Sequence, residues 1–322
     1  MESRVRSGMR NAITVMNAKG GVGKSTLVVG LAETLANYFQ KTVLIIDADA
    51  QASVSHMLVR QPALDAVQSG GRTVVDYLIG AVLKESATSW REFVTPDVSD
   101  IDDARSIALM ASDTNLTLFE REVSKGNHEA ALRKAIGGFL VEARQCYDIV
   151  LIDSAPGLSV LTECFLREAD FYLTPVKPDY ISIRGLKFLQ EFRQRDPHMG
   201  FAESLGIIIN MKDLHSPHDE HFDRWLRQDP EHRCFQRSIP RVTALQSSSF
   251  IAPQPRSYWA KYPGETGGYL RQLTEELLGR LAPAQNSAGV ATAMILADTP
   301  TQGYHRAEQK TRARWKARSP QL

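Results

Sequence analysis

The feature that most restricts how this chain can fold is a glycine-rich stretch, Asn17-Ala18-Lys19-Gly20-Gly21-Val22-Gly23-Lys24-Ser25-Thr26, set between segments of different periodicity. Before it, Ala12-Ile13-Thr14-Val15-Met16 is short, apolar and partly β-branched, the pattern of a buried strand. After it, Leu27, Leu31 and Leu35 recur at helical spacing, with Val28, Ala32 and Phe39 widening the face. A glycine-rich turn between strand and helix presents backbone N–H groups to a phosphate, and the helix N-terminus adds favourable partial charge. Lys24 would reach β- and γ-phosphates and the Ser25 hydroxyl would ligate Mg2+.

Other apolar runs end in polar groups that could share the rim of one sheet. Thr42-Val43-Leu44-Ile45-Ile46-Asp47 reads as an inner parallel strand, followed by Ala48-Asp49 and Ala50-Gln51. In an open α/β sheet ligands bind beyond the carboxyl ends of strands, which puts these acids beside the glycine-rich loop. Tyr147-Asp148-Ile149-Val150-Leu151-Ile152-Asp153 is a second such run, its terminal acid suited to face Mg2+ through water. Strands are also expected at Ser106–Met110, Phe171–Val176 and Leu205–Asn210, and helices at Thr73–Leu83, Leu116–Val123, Ala130–Ala143, Ile181–Arg195 and Gly267–Leu281. Alternating strands and helices without repeats imply a doubly wound α/β fold, its sheet mostly parallel with helices on both faces.

One position departs from the general phosphate-loop pattern: Ala18 stands where the first glycine is usual, and Lys19 adds a second lysine. Lys19-Gly20-Gly21-Val22-Gly23-Lys24-Ser25-Thr26 resembles the deviant Walker A loop of the ParA/MinD family of ATPases. The resemblance spans roughly residues 10–282, with its specific motifs confined to four short segments. It implies that Lys19 reaches the nucleotide of a facing subunit. It also implies that Asp49 positions the attacking water while Asp47 supports the Mg2+ shell, although both acids could instead cap the following helix. Asp47-Ala48-Asp49-Ala50-Gln51 is similar to the family's D-x-D-P-Q segment with Ala50 for proline, and Asp153-Ser154-Ala155-Pro156 to its D-x-P-P switch with Ala155 for the first proline. By the same resemblance Asn210 contacts adenine and Pro240, in Ile239-Pro240-Arg241, lies beside the base. The expected catalytic residues are thus Lys19, Lys24 and Asp49, with ATP and Mg2+ as cofactors.

The resemblance further implies an ATP-driven homodimer that binds DNA non-specifically, moves a plasmid, chromosome or other cargo, and is released when a ParB-like partner stimulates hydrolysis. Arg193 and Arg195, late in the Ile181–Arg195 helix, are the expected phosphate contacts of the folded part. Residues 1–10 read as a flexible N-terminus and 283–322 as a disordered basic tail. In that tail Lys310, Arg312, Arg314, Lys316 and Arg318 cluster around Trp315, a set that could neutralise DNA phosphates, lie on anionic lipid, or simply solubilise. A MinD-like membrane-positioning ATPase is the weaker alternative, because the tail lacks a sustained apolar face. A relative serving a secretion or other cargo complex stays open.

Composition narrows the remaining classes. A formal charge of +1 over 322 residues creates no global field, so any nucleic-acid surface must be local. Cys146, Cys164 and Cys234 show no C-x-x-C spacing, which argues against a disulfide scaffold and a thiolate metal site. No secretory leader or membrane-span length is evident, so a cytoplasmic protein is expected, nucleoid-associated when ATP is bound. His215, His218 and His221 recur at a spacing of three and could gather on a helix as a metal site, although Pro217 interrupts it.

Overall fold

The computed structural model of the protein describes residues 11–195 and 200–295. Each expected strand forms, and the six make one all-parallel sheet. They are β1 (Ala12–Val15), β2 (Val43–Ala48), β3 (Ile107–Met110), β4 (Ile149–Ser154), β5 (Phe171–Val176) and β6 (Glu203–Ile209), in spatial order β3-β2-β4-β1-β5-β6. The connecting helices are α1 (Lys24–Phe39), α2 (Ser53–Leu58), α3 (Gln61–Ser69), α4 (Val74–Leu78), α5 (Asn115–Gly126), α6 (Glu129–Cys146), α7 (Val160–Glu168), α8 (Tyr180–Arg195), α9 (Pro217–Gln228), α10 (Thr243–Ser247), α11 (Tyr258–Lys261) and α12 (Glu265–Ile295).

The strands read as continuous apolar runs because both faces of the sheet are covered. Side chains alternate across a strand, so Ile13, Val43, Ile45, Ile149 and Leu151 pack with α1, α2, α3 and α12. Ala12, Leu44, Ile46, Val150 and Ile152 face the other way, onto α4 to α7. A third cluster joins β5 and β6 to α8 and α9 through Val176, Ile183, Leu186, Ile209 and Leu226. Both sheet edges are covered: Thr95 pairs with Leu109 beside β3, while Phe235 and Ile239 donate to Ile207 and Ile209 at 2.8 Å beside β6.

Two expectations change in detail. The helix foreseen over Thr73–Leu83 starts with a Thr73/Asp76 capping box, then widens into a π-helical turn at Ile79–Leu83. At the other end the backbone helix runs through Pro283 to Ile295 rather than stopping near Leu281. The tail cations Lys310, Arg312, Arg314, Lys316 and Arg318 lie outside the described residues, as do residues 1–10. No helix of the described residues is long and apolar enough to cross a membrane.

Candidate functional site

Parallel pairing fixes the site before any side chain is considered. In register, Val15 of β1 faces Asp153 of β4, and Asp153 faces Asp47 of β2. The glycine-rich loop leaves β1 between these acids and β5. Gly21 and Gly23 have φ of +73° and +82°, the left-handed region that favours glycine. Gly23 is doubly constrained, since a Cβ there would lie 2.5 Å from Asn210 Nδ2. Asn210 donates that amide to Val22 O at 2.8 Å, so it braces the loop from the end of β6. Asn17 braces the other side: its Nδ2 donates to Pro175 O at 2.7 Å and its Oδ1 accepts Lys19 N at 2.8 Å.

The loop delivers α1 with an open N-terminus. Gly23 is its N-cap, no side chain caps it, and no acid occupies its first turn. Four N–H groups and the helix dipole therefore face the loop unanswered, which favours an anion. Lys24 is buried, and burial lowers its pKa against the opposing pull of Asp153 and Asp49.

Ser25 donates its hydroxyl to Asp153 Oδ2 at 2.7 Å. The other carboxylate oxygen, Oδ1, is buried and has no hydrogen-bond partner among the described residues. Burial, then the neighbouring Asp47, pushes the Asp153 carboxyl well above the usual carboxylate range. A hydroxyl, an orphaned carboxylate oxygen and a second acid are hard oxygen donors, and this set fits Mg2+. Asp47 is also fully buried, and burial lifts its pKa to about 6 even though its Oδ2 accepts both the N–H and the hydroxyl of Ser55, at 2.8 and 2.7 Å. It therefore anchors the first turn of α2 while standing beside Asp153. Asp49, half-buried, accepts Gln51 N at 2.9 Å through Oδ1. Asp47 thus combines a contact to the first turn of α2 with its rim position, whereas Asp49 closes a turn at Gln51 before that helix begins and does not cap it.

Lys19 does not point into solvent. Its Nζ lies 3.1 Å from both carboxylate oxygens of Asp179 and 3.3 Å from Ser182 Oγ, at the start of α8. Asp179 also accepts Ser182 N at 2.7 Å, and although burial raises its pKa, this N–H and the Lys19 ammonium bring the net shift below the usual value. Gly185 makes the close approach of α8 feasible, since a Cβ there would sit 3.0 Å from Asn17 Oδ1. On the opposite side Gly20 faces the Pro156 ring. Asp179, Ser182, Asn17, Ser55 and Gly185 were not expected from the sequence. An acid followed three residues later by serine at a helix start was the one available signal for Asp179.

A cleft beside α1 is lined by Gly23, Thr26, Asn210, Pro240, Val242 and Leu245, which brings Asn210 and Pro240 together. The other candidates separate. Arg195 is exposed at the end of α8, Arg193 belongs to the same helix, and both are remote in sequence from the loop. His215, His218 and His221 form no metal-holding group among the described residues; His218 and His221 instead lie edge-on to Phe222.

Comparison with known proteins converges on one family. The AAA_31 family, described as an AAA domain, matches residues 10–198. The chromosome-partitioning ATPase Soj of Treponema pallidum is 27% identical over 84% of this chain and 98% of its own length. A ParA family protein of Chlamydia trachomatis is 27% identical over 83% of this chain and 96% of its own. Among solved structures, apo McdA of Cyanothece superposes with a TM-score of 0.63 at 19% identity, covering 83% of this chain and 99% of McdA. A putative plasmid partition protein of Borrelia burgdorferi bound to AMPPNP gives 0.62 at 19% identity, covering 84% and 99%. Cobyrinic acid a,c-diamide synthase of Mycobacterium smegmatis, bound to an ATP analogue and magnesium, gives 0.62 at 22% identity, covering 84% and 95%. With its parallel sheet, glycine-rich loop and paired rim acids, this chain belongs to the AAA_31 family of AAA domains, as a ParA-type ATPase.

Proposed function

We propose that this protein is an ATP-dependent dimerising switch that binds DNA without sequence preference and positions a cargo, with a partner protein stimulating ATP hydrolysis to release it. The observation that carries the ATP reading is the Ser25–Asp153 pair beneath the open N-terminus of α1, with Asp153 Oδ1 left for a cation. The partitioning names of the Soj and ParA relatives support the cargo-positioning part. The amide synthase shares the architecture at 22% identity, so fold by itself does not select the task.

In this reading the N–H groups of Gly20 to Thr26 and the Lys24 ammonium hold the phosphates. Ser25 and Asp153, with Asp47 behind, hold Mg2+, the acids acting through water. When bound, Mg2+ neutralises charge that spreads over the transferred phosphoryl oxygens. Asp49 orients the attacking water, and Lys19 exchanges Asp179 for the nucleotide of the facing subunit. Arg195 and Arg193 on α8, with the basic tail, contact DNA phosphates.

A gel-shift and filter-binding series with ATP, ADP and no nucleotide tests the whole. Binding should require ATP and weaken steeply with salt, because released counterions drive it. Lys24→Ala should abolish both ATP binding and the shift. Salt-insensitive DNA binding, or tight ATP binding by Lys24→Ala, would remove the proposal.

A further inference from the structure

Farther along α1 from the phosphate loop, a group of acidic and basic side chains packs together inside the protein. Glu33, on α1, is fully buried and accepts from Ser99 Oγ, Lys261 Nζ and Tyr262 OH at 2.8, 2.7 and 2.6 Å. Lys261 Nζ also donates to Asp100 Oδ1 at 2.7 Å. Asp100 Oδ2 accepts Ala252 N at 2.7 Å and pairs with Arg256 at 2.8 Å, while the Asp100 carbonyl accepts Arg256 N at 2.8 Å. Each acid is thus bonded to a basic side chain, the condition under which buried charge persists, while Arg256 Nε is buried with no hydrogen-bond partner among the described residues.

What this cluster holds is the segment that continues from the base-side cleft. Pro240, Val242 and Leu245 line that cleft, and Leu245 also packs on the core under α1. Upstream the segment is pinned to β6 by Ile239 N to Ile209 O at 2.8 Å, and just beyond that strand by Lys212 N to Ile239 O at 3.0 Å and Arg241 N to Lys212 O at 2.8 Å. Downstream it is pinned at Ala252 and Arg256 by Asp100, with Arg60 donating to Pro253 O between them. Through Lys261 and Glu33 the downstream anchor ends on α1, the helix that begins with Lys24 and Ser25.

We infer that the Glu33–Lys261–Asp100 cluster sets the distance between the base-side wall and the phosphate-binding helix, with Asp100 as the positioning residue. Both walls of the cleft are then referenced to one rigid element, α1. The inference rests on reading that cleft as the place of the nucleotide base. It predicts that cutting the tether loosens the grip on the base and spares the grip on phosphates.

The test compares Mg2+-ATP with Mg2+-inorganic triphosphate by calorimetry on the full chain. Two variants are used: Asp100→Asn, which removes the charge holding the segment, and Ala252→Pro, which deletes one tethering N–H and leaves every charge of the cluster in place. Ala252 already precedes Pro253, so its backbone is biased to the extended region that proline accepts. In each variant ATP affinity should fall about tenfold, the equivalent of roughly one lost hydrogen bond, with triphosphate unchanged within about twofold. If Asp100→Asn does not fold, Ala252→Pro decides. An unchanged ATP-to-triphosphate ratio in the folded variants, or equal loss for both ligands, overturns the inference. A wild-type protein that binds triphosphate as tightly as ATP would instead overturn the assignment of the base cleft itself.

Discussion

Among the buried carboxylates of the described residues, two pairs have surroundings that treat them in opposite ways. Glu33 and Asp100 share the Lys261 ammonium, with Arg256 and Tyr262 completing their bonds. Burial pushes the Asp100 carboxyl up, but Lys261, Ala252 N–H and Arg256 outweigh it and leave the pKa below the usual value. Asp47 and Asp153 stand side by side across β2 and β4, with the buried Lys24 beside Asp153, and both are raised. A charge-balanced group needs nothing further and acts as a lock. An unbalanced one disfavours its own ionised form, a cost that a bound cation would relieve.

The largest break in this contrast should come from Lys261→Met. It leaves Glu33 and Asp100 buried without their shared cation, and urea denaturation should show a loss of about 3–5 kcal/mol. A loss below about 1 kcal/mol would mean that the cluster is not a lock.

Acid titration sharpens the contrast next. The folded-state pKa of Asp47, about 6, lies above the unfolded value near 4, so the folded protein binds the extra proton. Its stabilising contribution is fully present below about pH 4 and is lost as pH rises through 6, an effect of roughly 3 kcal/mol for the ligand-free protein. Asp47→Asn should remove that decline. Asp100, lowered, behaves in reverse: its contribution is present above its unfolded pKa and is lost as pH falls through the folded one. Stability curves of wild type and Asp47→Asn that superpose from pH 4 to 7 would contradict the assignment.

A smaller gain is expected from Asp153→Asn, which relieves the like charge beside Asp47. Ligand-free stability should rise by about 1–2 kcal/mol while the Mg2+ dependence of nucleotide binding disappears, measured by thermal melts with and without Mg2+-ATP. The smallest effect belongs to Lys19→Ala. The Lys19 and Asp179 side chains are 29% and 31% exposed, so their pair should contribute under about 1 kcal/mol to folding. The same variant should lose ATP-dependent dimerisation in sedimentation, and an ATP-loaded dimer of Lys19→Ala would separate Lys19 from the subunit contact.

Much of the nucleotide site could be read from the chain because its parts are local. The loop from Lys19 to Thr26 adjoins its own strand and helix, and Asp47 and Asp153 each end an apolar run of their own. Asp179 was not legible, since its partnership with Lys19 spans 160 residues and follows from β1 lying beside β5. Asn210 was expected at the base, and the structure adds that one of its amide hydrogens is committed to Val22 O across 188 residues. Glu33 gave no signal at all. It interrupts the apolar face of α1, and the arrival of Lys261 from 228 residues away, with Ser99 and Tyr262 beside it, makes a buried carboxylate tolerable there.

From the sequence alone came the alternation of strands and helices, the phosphate-facing turn, and the acids that close two apolar runs. Each depends on residues within one turn or one strand of each other, where backbone sterics and side-chain periodicity act directly. Tertiary structure decided which cation answers which acid. That choice depends on strand order and helix packing, because a charge in a poorly polarisable interior is governed by whatever group the fold sets within a few ångströms of it.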